Sequence, residues 1–192
     1  MHKLNFKKYY FISEYDTNLI KHQDKETNII YRNYQDKIDI HKLIILRDFC
    51  KKKGCNFFLA NNIKLAIKLN LDGAYLPSFN RNFNHLAYTF KKKFIILGSV
   101  HNIKELNIKK LQLVKYFFLS SLFKKNENYL DTLKFKLFES YINKNIIALG
   151  GISEKNLKKL NLLNISGFAG ISLFKKKKAP LKKGPFNILD SK

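Results

Sequence analysis

The sequence predicts an α/β fold, a single (β/α)8 TIM barrel, on three observations. About eight short apolar runs alternate with helix-patterned stretches along the chain, the order of parallel strands joined by crossover helices. The runs tend to be apolar throughout rather than alternating, as suits strands buried on both faces. The last two runs lead into glycines and small residues, Ala148-Leu149-Gly150-Gly151 and Phe168-Ala169-Gly170-Ile171-Ser172. A barrel of this kind cradles an anion behind its seventh and eighth strands. The chain has 192 residues, one domain by size and near the lower limit of such a barrel. Count and size together favour a closed cylinder over an open doubly wound sheet. The division is a barrel over 1–174 and a basic C-terminal tail over 175–192, where lysines, Pro180 and Gly184-Pro185 suggest a short or frayed end.

Each element follows from its residues. The first strand is 8–13, Lys-Tyr-Tyr-Phe-Ile-Ser. A polar stretch, 14–27, holds a short helix or a loop. The second strand, 28–34, contains Arg32. Leu43, Ile45, Leu46, Phe49 and Cys50 recur at helical spacing within 38–53, and Gly54 stops that helix. The third strand is 55–60. Asn61 and Asn62 open a helix over 63–69. Asp72-Gly73 turns into a fourth strand that Pro77 closes. A polar, basic helix or loop covers 79–92, and the fifth strand 93–99. Asn102 and Glu105 are spaced as a capping box for the helix behind them. The sixth strand is 113–121, a basic loop covers 122–129, and a helix covers 130–142. In the seventh unit, 145–149 is the strand and Ser153 the cap of a following helix. The eighth strand lies within 166–172.

Composition narrows the function. Hydrophobic residues make 45% of the chain and aromatics 14%, enough for a substantial core. No apolar run approaches the ~20 residues of a membrane span, and the first eight residues lack the features of a signal peptide. A cytoplasmic protein is expected, with Cys50 and Cys55 as incidental thiols. The net charge of +23 raises nucleic acid as a partner. Arginine, the better base-reading and phosphate-forking residue, stands only at positions 32, 47 and 81. Abundant Lys, Asn, Ile, Phe and Tyr beside scarce Gly, Ala and Pro is what an AT-rich genome encodes. The charge therefore reads as compositional, with lysines spread evenly rather than gathered on one face, and argues against a nucleic-acid partner.

Six short motifs, in order, bring a family into view. They are Ile30-Tyr31-Arg32, Leu59-Ala60-Asn61-Asn62, Asp72-Gly73-Ala74-Tyr75-Leu76-Pro77, Gly98-Ser99-Val100-His101, Ala148-Leu149-Gly150-Gly151-Ile152 and Gly167-Phe168-Ala169-Gly170-Ile171-Ser172. On these, the chain resembles the thiamine-phosphate synthase and thiazole-tautomerase (TenI-like) family, as a divergent member, from about Tyr9 to Phe174. The resemblance implies thiamine biosynthesis: a transferase joining hydroxymethylpyrimidine diphosphate to thiazole phosphate and releasing pyrophosphate. It implies that the thiazole phosphate sits against Gly150, Gly151, Ile171 and Ser172. It implies Mg²⁺ on the diphosphate, at the positions of Asn62 and Asn80. Those positions carry acids in the synthase pattern, and neutral amides bind Mg²⁺ poorly. Of the second-strand pattern Gln-x-Arg-x-Lys only Arg32 remains, with Ile30 and Tyr34 flanking it. Tyr75 replaces a histidine, and Ser120-Ser121 stands where the pattern has a threonine-rich loop. The alternative is a non-catalytic or altered-specificity member that binds thiamine-related phosphates.

Candidate residues follow. Arg32, at a strand's C-terminal end, binds a diphosphate or forms a structural ion pair. Ser99 offers a hydroxyl to a pyrimidine or a phosphate. His101 is an acid or base if it faces the site. Ser120 and Ser121 donate to a phosphate, with Lys124 and Lys125 as further cations. Asn61 is a substrate contact by resemblance, and Asn62 serves equally well as a plain helix cap. Phosphorylated pyrimidine and thiazole compounds are the expected partners, and homo-oligomer formation stays open. Gly150 and Gly151 either admit a ligand to the main chain or only make a tight turn.

Overall fold

Eight parallel strands close into a barrel in strict chain order, each hydrogen-bonded to its sequence neighbours and the first to the last. They are β1 (Lys7–Ile12), β2 (Thr27–Tyr31), β3 (Phe57–Ala60), β4 (Gly73–Leu76), β5 (Ile95–Val100), β6 (Tyr116–Leu119), β7 (Ile146–Leu149) and β8 (Gly167–Gly170). This computed structural model describes residues 6–142 and 145–175. Apart from Lys175, the basic tail lies outside the described residues. Between the strands run α1 (Asn18–Lys21), α2 (Ile40–Lys53), α3 (Ile63–Lys68), α4 (Ile103–Leu111) and α5 (Asp131–Tyr141), with α6 (Ser172–Lys175) last. The expected (β/α)8 fold is the observed one.

Local chemistry explains where the helices begin and stop. The side chains of Asp39, Asn62 and Asn102 each accept the amide three residues on and cap α2, α3 and α4. Glu105 closes the expected box in altered form, taking the amide of His101 rather than that of Asn102. Gly54 ends α2 in the left-handed conformation, φ +78°.

Two connections depart from an α-helix. After β4, only Asn84–Ala87 coils, as a 3₁₀ turn. Asn80 and Asn82 each accept the amide two residues on, and such local bonds compete with a helix. After β7 the expected capped helix is replaced by a 3₁₀ segment, Leu157–Leu162. Ser153 does not cap it. Its amide donates to Asn156 Oδ1, while the Asn156 amide group donates to the Gly151 carbonyl. Leu157, Leu160 and Leu163 recur every third residue and pack inward, matching three residues per turn. Strands β2 and β6 are shorter than expected; Arg32 stands just past β2, its amide still on the Ile12 carbonyl.

The period of two along each strand divides two cores. Tyr10, Ile12, Phe57 and Leu59 face outward to the helices. Tyr9, Phe11, Ile30, Phe58, Tyr75, Leu97, Phe118 and Ile147 fill the lumen. Phe118 lies within 5.0 Å of Tyr9, 5.3 Å of Tyr75 and 5.9 Å of Phe11, centroid to centroid and edge to face. Such pairs contribute about 0.5–1.5 kcal/mol each beyond area burial. Phe118 is fully buried, so Phe118→Ala is expected to cost about 3–5 kcal/mol. Urea unfolding measures that loss, and a change near zero would mean the lumen does not depend on this ring.

Candidate active site at the barrel mouth

Chemistry in such barrels sits at the C-terminal ends of the strands, and three groups of side chains meet there. The first surrounds Arg32. Its guanidinium stacks over the Phe11 ring, 4.7 Å from the centroid. Arg32, Phe11, Ser13, Glu14, Ile171 and Lys175 are among the walls of a cleft of about 140 Å³. Among the described residues no carboxylate ion-pairs with Arg32, so its charge is not spent within the fold. Ile171 belongs to this cleft, half-exposed, rather than to the cup beyond it.

The second group is phenolic. Tyr75 rises from β4 into the lumen's upper layer, its ring 5.2 Å from that of Phe11. Burial pushes its hydroxyl above the ordinary phenol range, while a hydrogen bond with Ser99 and the Arg32 charge oppose the shift. Ser99, itself buried, is thus paired with Tyr75 beneath the mouth. Tyr34 stands over the rim with its ring against Phe79.

The third group is the cup behind the last strands. A cavity of about 290 Å³ lies between the turns after β7 and β8, lined by Ile152, Ser153, Glu154, Lys155, Ser172 and Leu173. The two turns thus converge at one rim. Among the described residues, the amides of Ile152 and Ser172 have no hydrogen-bond acceptor. Gly150 and Gly151 take φ +96° and +73°. What approaches them is the chain itself. A Cβ on Gly150 would meet Ser121 Oγ at 2.4 Å, and one on Gly151 the Lys124 amide nitrogen at 2.6 Å. The amides of Leu122 and Phe123 donate to the carbonyls of Leu149 and Gly150. The glycines therefore lock the β6 loop onto the β7 turn, and the cup opens just past them.

Other candidates lie apart from these groups. Ser121 donates its hydroxyl to the Lys124 carbonyl, 2.7 Å, which spends it on the loop. Ser120 is buried beside it. His101 sits at the start of α4 with Nδ1 3.1 Å from Glu105 Oε2. Asp72, in the turn before β4, accepts from the Phe57 amide on the neighbouring strand.

The magnesium implied by the resemblance finds no fitting donor set. Asn62 Oδ1 caps α3. Asn61 Oδ1 accepts from the Asn80 amide group at 2.7 Å. Asn80 Oδ1 accepts from the Asn82 amide and from Gln112 Nε2. The Lys109 ammonium lies 2.6 Å from the Asn80 carbonyl and 2.9 Å from Gln112 Oε1, fully buried. Neutral oxygens already engaged, beside a buried cation, offer a divalent ion little. The sequence left one signal for Lys109 that went unread: it stands three residues after Leu106, on the buried face of α4. A larger cavity, about 630 Å³, opens at the opposite end, against Arg47, Lys51, Cys55 and Phe94. It is remote from the strand ends that carry chemistry, so size alone does not make it the active site.

Comparison with known proteins points to one family. The thiamine monophosphate synthase family model matches residues 20–174. The thiamine-phosphate synthase of Helicobacter pylori (strain Shi470) is 31% identical over 146 residues, 72% of this chain and 65% of that protein. That of Haemophilus influenzae (strain PittEE) is 26% identical over 133 residues, 66% of this chain and 59% of the relative. The match thus spans somewhat less than two thirds of these relatives' length. Among solved structures, thiamine phosphate pyrophosphorylase from Pyrococcus furiosus superposes with TM-score 0.71 at 17% identity, covering 89% of this chain and 92% of that one. Citrate synthase SbnG gives 0.61 at 8% identity with 86% of each chain covered. At those identities the likeness concerns the fold.

Desolvation lowers the Lys109 pKa from 10.5 to about 8. Below that value both folded and unfolded chains hold the proton. Between about 8 and 10.5 the unfolded chain holds more protons, so this group makes stability rise with pH across that window. The gap in urea midpoint between the wild type and Lys109→Met is expected to change in that direction from pH 8 to pH 10.5. A gap that stays constant would mean Lys109 titrates normally.

Proposed function

The chain belongs to the thiamine monophosphate synthase family, and from that premise we propose that it joins hydroxymethylpyrimidine diphosphate to thiazole phosphate and releases pyrophosphate. The observation that carries the reading is Arg32, without an ion-pair partner among the described residues, standing at the same mouth as the cup behind β7 and β8. In this reading the thiazole phosphate occupies the cup. The amides of Ile152 and Ser172, with the Ser172 hydroxyl, donate to it, and Lys155 adds charge. Gly150 and Gly151 hold the turn in shape. Arg32 forks onto the diphosphate. The carbon–oxygen bond to the diphosphate breaks, and its electron pair leaves with pyrophosphate. Arg32 offsets the charge that gathers there. The pyrimidine cation left behind lies above the aromatic floor that Phe11 and Tyr75 make. The Ser99–Tyr75 hydroxyl pair orients the ring, and the thiazole captures the cation. His101, held by Glu105 apart from these groups, is given no step in this reading. No step passes through a metal. Among the described residues no helix is long and apolar enough to cross a membrane, and small phosphorylated substrates suit a cytoplasmic enzyme.

One observation favours a second reading. The Asn61–Asn80 lock and the buried Lys109 suit a member that binds thiamine-related phosphates without turning them over. A single experiment separates the two. The protein is mixed with both substrates, with and without Mg²⁺, and pyrophosphate and thiamine phosphate are measured. Product formation is expected, with kcat/KM falling about 10²–10³-fold in Arg32→Ala, the loss typical of one charge-stabilising group. Binding of thiamine phosphate without turnover would select the binder, and neither binding nor turnover would overturn both.

A further inference from the structure

The end of α2 brings two cysteines together by backbone geometry. The amide of Gly54 donates to the Lys51 carbonyl at 3.1 Å, and the amide of Cys55 donates to the Cys50 carbonyl at 3.1 Å. These two bonds make a Schellman turn around a left-handed glycine. In that turn the residue two past the helix end packs against the residue at the last turn's start. Two apolar side chains commonly meet there; here both are thiols. The Cys55 thiol donates to the Cys50 carbonyl oxygen at 3.6 Å. The turn thus draws residues five apart side by side, and a disulfide needs two cysteines so placed.

The two thiols differ in surroundings. Cys50 is fully enclosed. Cys55 forms part of the wall of the 630 Å³ cavity at this end, beside Arg47, Lys51, Lys91 and Lys93. The neighbouring Cys55 sulfur, then burial, push the Cys50 thiol up, and the Cys50 sulfur, helped by Lys53, draws Cys55 down against burial and Asp72. Cys55, on the cavity wall among lysines, is thus the sulfur that a small oxidant reaches, and reactivity follows the thiolate.

We propose that Cys55 is a peroxide-reactive thiol at the N-terminal end of the barrel and that Cys50 resolves it to an intramolecular disulfide. The Cys55 thiolate attacks hydrogen peroxide; the O–O bond breaks, the departing hydroxide takes back from solvent the proton that Cys55 gave up and leaves as water, and Cys55 becomes a sulfenic acid. The Cys50 sulfur then attacks Cys55 Sγ. The S–O bond breaks and a second water departs with the Cys50 proton. Two thiols are oxidised by two electrons, and one peroxide is reduced to two waters. This site is independent of the mouth and of the function proposed for it.

The test uses the folded full-length chain and hydrogen peroxide. Intact mass is expected to fall by two hydrogens, and free thiols to drop from two to none. Trypsin cuts at Lys51, Lys52 and Lys53 between the cysteines, so the oxidised protein yields two peptides joined by a disulfide. In Cys50→Ser, dimedone is expected to trap a sulfenic acid on Cys55. The proposal is overturned if the folded wild type keeps both thiols while the guanidinium-unfolded chain loses them. It is equally overturned if Cys50 in Cys55→Ser is labelled as fast as Cys55 in Cys50→Ser. The wild-type mass measurement stands even if a variant fails to fold.

Discussion

The lumen must be filled, and that constraint decides most of the molecule. A parallel cylinder of short strands has an inside with no route to water, so the side chains pointing there have to pack against one another. Five aromatic rings from four strands do this, with Phe118 touching three of the others. The upper layer, Phe11 and Tyr75, is also the floor of the mouth. Anything bound at the C-terminal rim rests on aromatic faces, and Arg32 already lies on one of them. Packing and recognition share the same residues.

The rim is built by loops that hold one another. The β6 loop lies on the β7 turn through Leu122, Phe123 and the two left-handed glycines. Behind them the turn amides open towards the β8 side, where Ser172 completes the cup. Rigidity here comes from backbone bonds between loops rather than from a long helix, since the seventh connection coils only as 3₁₀ turns. Oriented amides alone can favour an anion without a full helix dipole.

On the opposite side of the mouth a polar network replaces what carboxylates would supply. Asn80 binds Asn61, Asn82, Gln112 and Lys109 at once, and His85 joins through the Gln112 carbonyl. This ties the long β4–β5 connection, which has almost no helix of its own, onto α4. The residues that mark the resemblance at these positions thus hold the scaffold, while Arg32 and the cup face solvent.

The sequence by itself determined the alternation of strand and helix, the closed barrel, the caps at Asn62 and Asn102, the stop at Gly54 and the strand ends where Arg32 and the last two turns lie. Those features depend on local periodicity and on glycine or asparagine chemistry, which a short window of residues carries. Only the tertiary structure decided that Gly150 and Gly151 receive a loop of the same chain, that Ser121 is spent on Lys124, that Lys109 is buried against Asn80, and that Cys55 lines a cavity with charged neighbours while Cys50 is enclosed behind it. Each depends on what residues distant in the chain place opposite it, and a lysine or a serine reads the same in sequence whether its partner is water or a carbonyl.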